Sequence, residues 1–163
     1  MSHATASVLL GHGFYYEEME LGFAFHSKGR TLTEADLNNF VNLTWFAEEL
    51  FVNTHDVAGR AIAGRPVPAG MVFTFAEGLI HSSMEGTGLA FLNMTYDVKK
   101  PVFVGDTIKV FCEVVERRLT SSGDRGLVRT RNEVRNQKGE TVLTYGPQRL
   151  IQLAPAVRPA SVT

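Results

Sequence analysis

The chain has 163 residues, 44% of them hydrophobic and 20% charged, which suits a single globular domain with enough apolar side chains for a core. Sixteen Lys and Arg stand against 17 Asp and Glu, and the net charge of -1 removes the electrostatic case for nucleic acid or an anionic membrane surface as a partner. The single cysteine, Cys112, excludes an intrachain disulfide framework and a thiolate-rich zinc site, and no metal or cofactor motif is present.

The start lacks a cationic segment, Val8-Leu9-Leu10 is too short for a secretory core, and no apolar run approaches the ~20 residues that span a bilayer. A cytoplasmic location without membrane contact is the expectation. Both ends, about residues 1–13 and 154–163, are small, polar or proline-bearing and are expected to be loose around a single domain covering 1–163. Phe14 to Phe25 is aromatic with weak alternation, fitting one strand or an irregular extended cover. Thr33-Glu34-Ala35-Asp36 is a helix start: a threonine N-cap followed by acids that suit the positive end of the helix dipole. Leu37, Phe40, Val41 and Thr44 then repeat at helical spacing, predicting an amphipathic helix to about Thr44. Trp45 to Arg65 reads as a partly helical excursion.

Pro68 to Met84 is the segment around which the chain is organised. Met71, Val72, Phe73, Phe75, Ala76, Leu79 and Ile80 leave no clean polar face, and Glu77 is the only full charge before Glu85. A helix of that kind is buried. Four alternating runs follow: Ala90–Val98, Thr107–Arg118, Leu127–Arg135 and Thr141–Leu153, separated by short Gly-, Asn- and Pro-bearing turns. Turns that short make the strands antiparallel neighbours. In the first run, Ala90, Leu92, Met94, Tyr96 and Val98 are predicted to share the buried face of a half-buried strand. The fold class is therefore α+β, one long buried helix wrapped by a single antiparallel sheet.

Three stretches, in order, carry a family resemblance: Pro68-Ala69-Gly70-Met71, then Lys100-Pro101-Val102-Phe103-Val104-Gly105-Asp106-Thr107-Ile108, then Asn136-Gln137-Lys138-Gly139-Glu140. With the element order, they resemble the hotdog fold and its MaoC-like branch of (R)-specific enoyl-CoA hydratases and dehydratases, over roughly Phe14 to Leu153. The resemblance implies a homodimer with sheets joined edge to edge. It also implies acyl-thioester sites, on CoA or an acyl carrier protein, near the N-termini of the buried helices. Gly70 and Met71 would then offer amides to the thioester carbonyl, although Gly70 also has the simpler reading of a residue that permits a tight turn.

The family's catalytic loop follows the first helix and reads Gly-Asp-x-Asn-Pro-x-His. Here Trp45-Phe46-Ala47-Glu48-Glu49-Leu50-Phe51 stands in its place, with Phe46 where the aspartate belongs and Phe51 where the histidine belongs. Phenylalanine moves no protons. The resemblance thus implies a divergent acyl-thioester lyase with a non-standard acid/base, for which Glu48, Glu49 and His55, the last followed by Asp56, are the nearby candidates. The alternatives are a non-catalytic acyl-CoA binding module, an inactive partner subunit, or a hotdog thioesterase using Glu48, Glu49 or Glu77. Trp45, Phe46 and Phe51 either line an acyl pocket or fill it. Glu77 and His81, four apart, are expected to share a hydrogen bond, and Cys112 to be inert core. Arg117, Arg118, Arg129, Arg131 and Arg149 are open candidates for a CoA phosphate, with Arg129 and Arg131 on a face that alternation leaves to solvent.

Overall fold

The computed structural model describes residues 11–55 and 58–155. The predicted helix α1 spans Glu34–Thr44, and its start is the expected cap: the Thr33 hydroxyl accepts from the Asp36 amide while the Asp36 carboxylate accepts from the Thr33 amide, 2.9 Å. The excursion after it contains one short helix, α2, Glu49–Val52. Helix α3 runs Ala69–Ile80 behind Pro68 and tightens into a 3-10 turn over His81–Ser83, so the segment expected to be helical to Met84 ends four residues earlier as regular α-helix.

The strands are β1 (Ala24–His26), β2 (Arg30–Thr31), β3 (Gly88–Val98), β4 (Thr107–Leu119), β5 (Arg125–Arg135) and β6 (Thr141–Gln152). They form one six-stranded sheet in the order β1-β4-β5-β6-β3, with β2 on β4 and every pairing antiparallel. Met71, Val72, Ala76 and Ile80 of α3 pack with Ile108, Val110, Val134, Leu143 and Tyr145 of the sheet, closed from the other side by Leu37 and Val41 of α1. This is the hotdog arrangement that the sequence implied. The aromatic stretch before it supplies β1 and a 3-10 turn, Tyr16–Glu18, whose Tyr16 and Met19 form a second small core with Val114, Val128 and Ile151.

Two motif stretches prove to be turn architecture. Gly105 takes φ +95°, and the Asp106 carboxylate accepts from the Phe103 amide (2.8 Å) and the Gln137 side chain (2.6 Å). Lys100 reaches Glu140 at 2.6 Å, so the β3–β4 and β5–β6 turns are tied to each other.

Three expectations need correction. Helix α3 is not enclosed on all sides: Gly70, Thr74 and Gly78 face solvent in the single chain. Strand β3 is exposed along its whole length because it pairs only with β6, and a bulge at Leu92 alters its faces. Phe91, expected opposite Met94 and Tyr96, instead lies on their side under the Arg149 guanidinium, 5.2 Å from its ring centre. The termini expected to be loose fall mostly outside the described residues. The parts that are described are tied down, with the Gly13 amide donating to Glu85 (2.7 Å) and the Ala154 amide to the Glu17 carboxylate (2.8 Å).

Candidate functional site

A cavity of about 300 Å³ opens at the N-terminal end of α3. Leu50 and Phe51 of α2, Ala69 and Val72 of α3, and Val98 and Val142 at the ends of β3 and β6 contribute to its wall. The lining is apolar except for Lys99 and Lys100, whose ammonium groups are paired with Asp97 and Glu140. Its size sits at the lower end of the ~300–1,000 Å³ typical of small-molecule sites.

The helix end beside the cavity carries the donors. Pro68 has no amide hydrogen to lose and its carbonyl accepts from both Met71 (2.9 Å) and Val72 (3.2 Å). The Met71 amide is therefore committed inside the turn and the Met71 side chain is wholly buried, which corrects its expected role as a carbonyl donor. The amides of Ala69 and Gly70 have no acceptor among the described residues and are the two left free at this end. Gly70 is helical with no positive φ, so the turn does not demand glycine there. A Cβ at Gly70 would meet only the Phe40 ring tip at 3.9 Å, so packing does not demand glycine there either.

Phe51 is buried and forms part of the cavity wall, and Phe46 packs on it with ring centres 6.0 Å apart. Phe51 lines the space, while Phe46, half-exposed and packed on Phe51, is not part of the lining. Glu48, Glu49 and His55 are all exposed and none lines the cavity; Asp56 lies outside the described residues. The structure thus brings Phe51 to the free helix end and leaves the three acid/base candidates away from it.

Glu77 does not pair with His81. It receives both hydrogen bonds of Arg149 at 2.7 and 2.6 Å, whereas exposed His81 meets Glu85 at 2.5 Å, one turn further along. Sequence reasoning missed Arg149 as the partner because its position on β6 becomes adjacent only when the sheet closes. Around this pair, burial pushes the Cys112 thiol up to about 12, against the pull of Arg149, so it stays protonated and inert as expected. Burial, then the charge of Glu77, raises the Tyr145 hydroxyl well above its usual value. Three of the remaining four arginine candidates are occupied. Arg131 pairs with Glu113 (2.5 Å), Arg129 with Glu116 (3.3 Å), and Arg117 covers the Tyr16 ring at 4.1 Å. Arg118 reaches only the Leu119 carbonyl, at 3.5 Å. Among the described residues no His, Cys, Asp or Glu cluster could hold a metal, and no helix is long and apolar enough to cross a membrane.

Comparison with known proteins agrees with this architecture. No curated protein matches the sequence. A monoamine oxidase regulatory protein of Archaeoglobus fulgidus is 29% identical, with a TM-score of 0.80 over 88% of this chain and 97% of that one. An (R)-hydratase of Pseudomonas aeruginosa, 22% identical, superposes with a TM-score of 0.70 over 93% of this chain and 97% of its own. A double-hotdog protein of Mycobacterium tuberculosis, 21% identical, gives a TM-score of 0.72 over 95% of this chain, which spans about half (48%) of that protein's length. At those last two identities the likeness speaks for the fold alone. Residues 20–145 match the model of the FAS1-like dehydratase domain region, and on that match, with the hotdog sheet and helix in place, the chain belongs to the MaoC-like, FAS1-like dehydratase family.

Proposed function

We propose that the protein binds an acyl thioester, of CoA or of an acyl carrier protein, with the acyl chain in the cavity beside Phe51 and the carbonyl on the free amides of Ala69 and Gly70. The family supplies the substrate class. The observation that carries the reading is the meeting of an apolar cavity with an uncapped helix end, where two donors and the positive end of the dipole face developing or resident negative charge. Among the described residues Lys99 and Lys100 are the only ionisable side chains on the wall, and both are held by carboxylates. Among the described residues of the single chain no carboxylate or imidazole lines the cavity, which supports binding without hydration over a divergent lyase.

The experiment is paired: isothermal calorimetry with saturated acyl-CoAs, and loss of enoyl absorbance with crotonyl-CoA. Binding is expected, with hydration depressed about 10²- to 10⁴-fold for each missing proton-moving group. Rapid hydration of crotonyl-CoA would overturn the non-catalytic reading; absence of any acyl-CoA binding would overturn the ligand itself.

A homodimer through β3 is supported by a specific observation. Leu89, Phe91, Leu92, Met94, Tyr96 and Val98 are all exposed on an 11-residue edge strand paired on one side only. Open apolar edges of this length are ordinarily covered by a second chain.

A further inference from the structure

The loop between α1 and α2 holds an unusual surface. Trp45 is 88% exposed, Leu43 in the last turn of α1 is 83% exposed, and half-exposed Phe46 packs on Phe51 of the cavity wall. Phe40, Phe46 and Phe51 form a ladder of rings, 6.5 and 6.0 Å between successive centres, that leads from α1 to the interior of the cavity. Among the described residues Trp45 is the one non-glycine residue with positive φ (60°, ψ 25°), at a helix C-cap where glycine is the usual occupant. An indole there strains the backbone, and in the free chain its ring stacks on no other described aromatic ring. Strain and exposure together bring the free protein no packing in return.

We propose that Trp45 and Phe46 are the outer wall of the acyl site: an apolar flap that folds onto a bound acyl chain where it emerges from the 300 Å³ cavity. This rests on the acyl-thioester reading and adds to it a selection for chains long enough to leave the cavity and lie along the Phe46–Trp45 shelf. A short acyl group ends against Phe51 and never reaches the shelf. Glu48 and Glu49 follow at once on the same loop, and their charge disfavours an anionic bilayer as what covers the rings.

Trp45 is the only tryptophan in the chain, so the intact protein carries its own reporter. Dodecanoyl-CoA and butyryl-CoA are titrated with tryptophan emission and calorimetry recorded in parallel. The expected result is a blue shift of emission with dodecanoyl-CoA, at the same midpoint as the heat signal, and binding of butyryl-CoA without that shift. The variant Trp45→Gly suits the left-handed position and is expected to keep or raise the thermal midpoint. It should lose about tenfold in dodecanoyl-CoA affinity while butyryl-CoA affinity stays within about twofold. Dodecanoyl-CoA heat without any emission change, or equal affinity in Trp45→Gly, overturns the flap while leaving the acyl site standing. Absence of heat with both thioesters overturns the acyl site and the flap with it.

Discussion

Arg149 on β6 grips both carboxylate oxygens of Glu77 on α3, at 2.7 and 2.6 Å, and so pins the central helix to the sheet at one register. The Arg149 side chain is 8% exposed and that of Glu77 22%, so the pair sits largely out of water, with the guanidinium over the Phe91 ring. Glu77→Ala leaves a buried guanidinium without its counter-charge and should cost about 3 kcal/mol. The double variant Glu77→Leu, Arg149→Met replaces both charges by apolar volume and should recover most of that loss. Urea unfolding of the three proteins measures the difference; a single variant as stable as wild type would show that the pair does not anchor the helix.

The carbonyl site can be removed without disturbing the helix. Ala69 is the first residue of α3, and Pro68 before it has ψ 137°, the extended backbone that a following proline needs. Ala69→Pro therefore deletes one of the two free amides at a position where proline is well tolerated. Acyl-CoA affinity should fall about tenfold, one hydrogen bond's worth, with the thermal midpoint unchanged or slightly higher. Unaltered affinity in a folded Ala69→Pro protein would move the carbonyl away from this helix end.

The edge of β3 makes a separate prediction. Met94 and Tyr96 are 36% and 39% exposed at mid-strand, on the side of the sheet that carries α3. Light scattering of the wild type should report twice the chain mass. Met94→Lys with Tyr96→Lys should give monomers in dilute solution, since paired strands would then bring like charges together. A wild-type protein that stays monomeric at working concentration would refute the dimer.

Acid should loosen the start of α1. Burial opposes ionisation of Asp36, but the Thr33 amide and hydroxyl and the Arg30 charge outweigh it and hold the carboxyl below its ordinary value. A depressed folded-state pKa means the contribution is complete above the unfolded value, about 3.9, and is lost as pH falls through the folded value. The carboxyl is open enough for water to screen it, so the loss is that of a cap, about 1 kcal/mol. The stability gap between wild type and Asp36→Asn, measured in urea, should be full at pH 6 and smaller at pH 2. A gap that persisted unchanged at pH 2 would assign the effect to shape and not to charge.

Much of the fold is legible in the residues themselves. Thr33 announces α1, the glycines and Asn136 place the turns, and period-two alternation marks β4 to β6 to within two residues. Those features are local: a cap, a φ preference or an alternating face is set by neighbours a few positions away. The family resemblance puts Phe46 and Phe51 where an acid/base pair is expected, and phenylalanine moves no protons whatever surrounds it.

What local pattern cannot supply is the company each residue keeps. Glu77 has a plausible partner four residues on, yet it pairs with Arg149, 72 positions away, because a half-buried carboxylate takes the strongest donor that closure of the sheet presents. Phe91 changes faces at a one-residue bulge, which alternation by itself cannot show. Met71 is expected to offer its amide outward, and the tight first turn over Pro68 takes that amide instead, leaving free the amides of Ala69, which lines the cavity, and of exposed Gly70 next to it. The sequence determined the elements, since caps, turns and alternating faces reside in the side chains themselves. Tertiary structure decided which charges pair and where apolar walls enclose space, since each depends on segments far apart in the chain coming into contact.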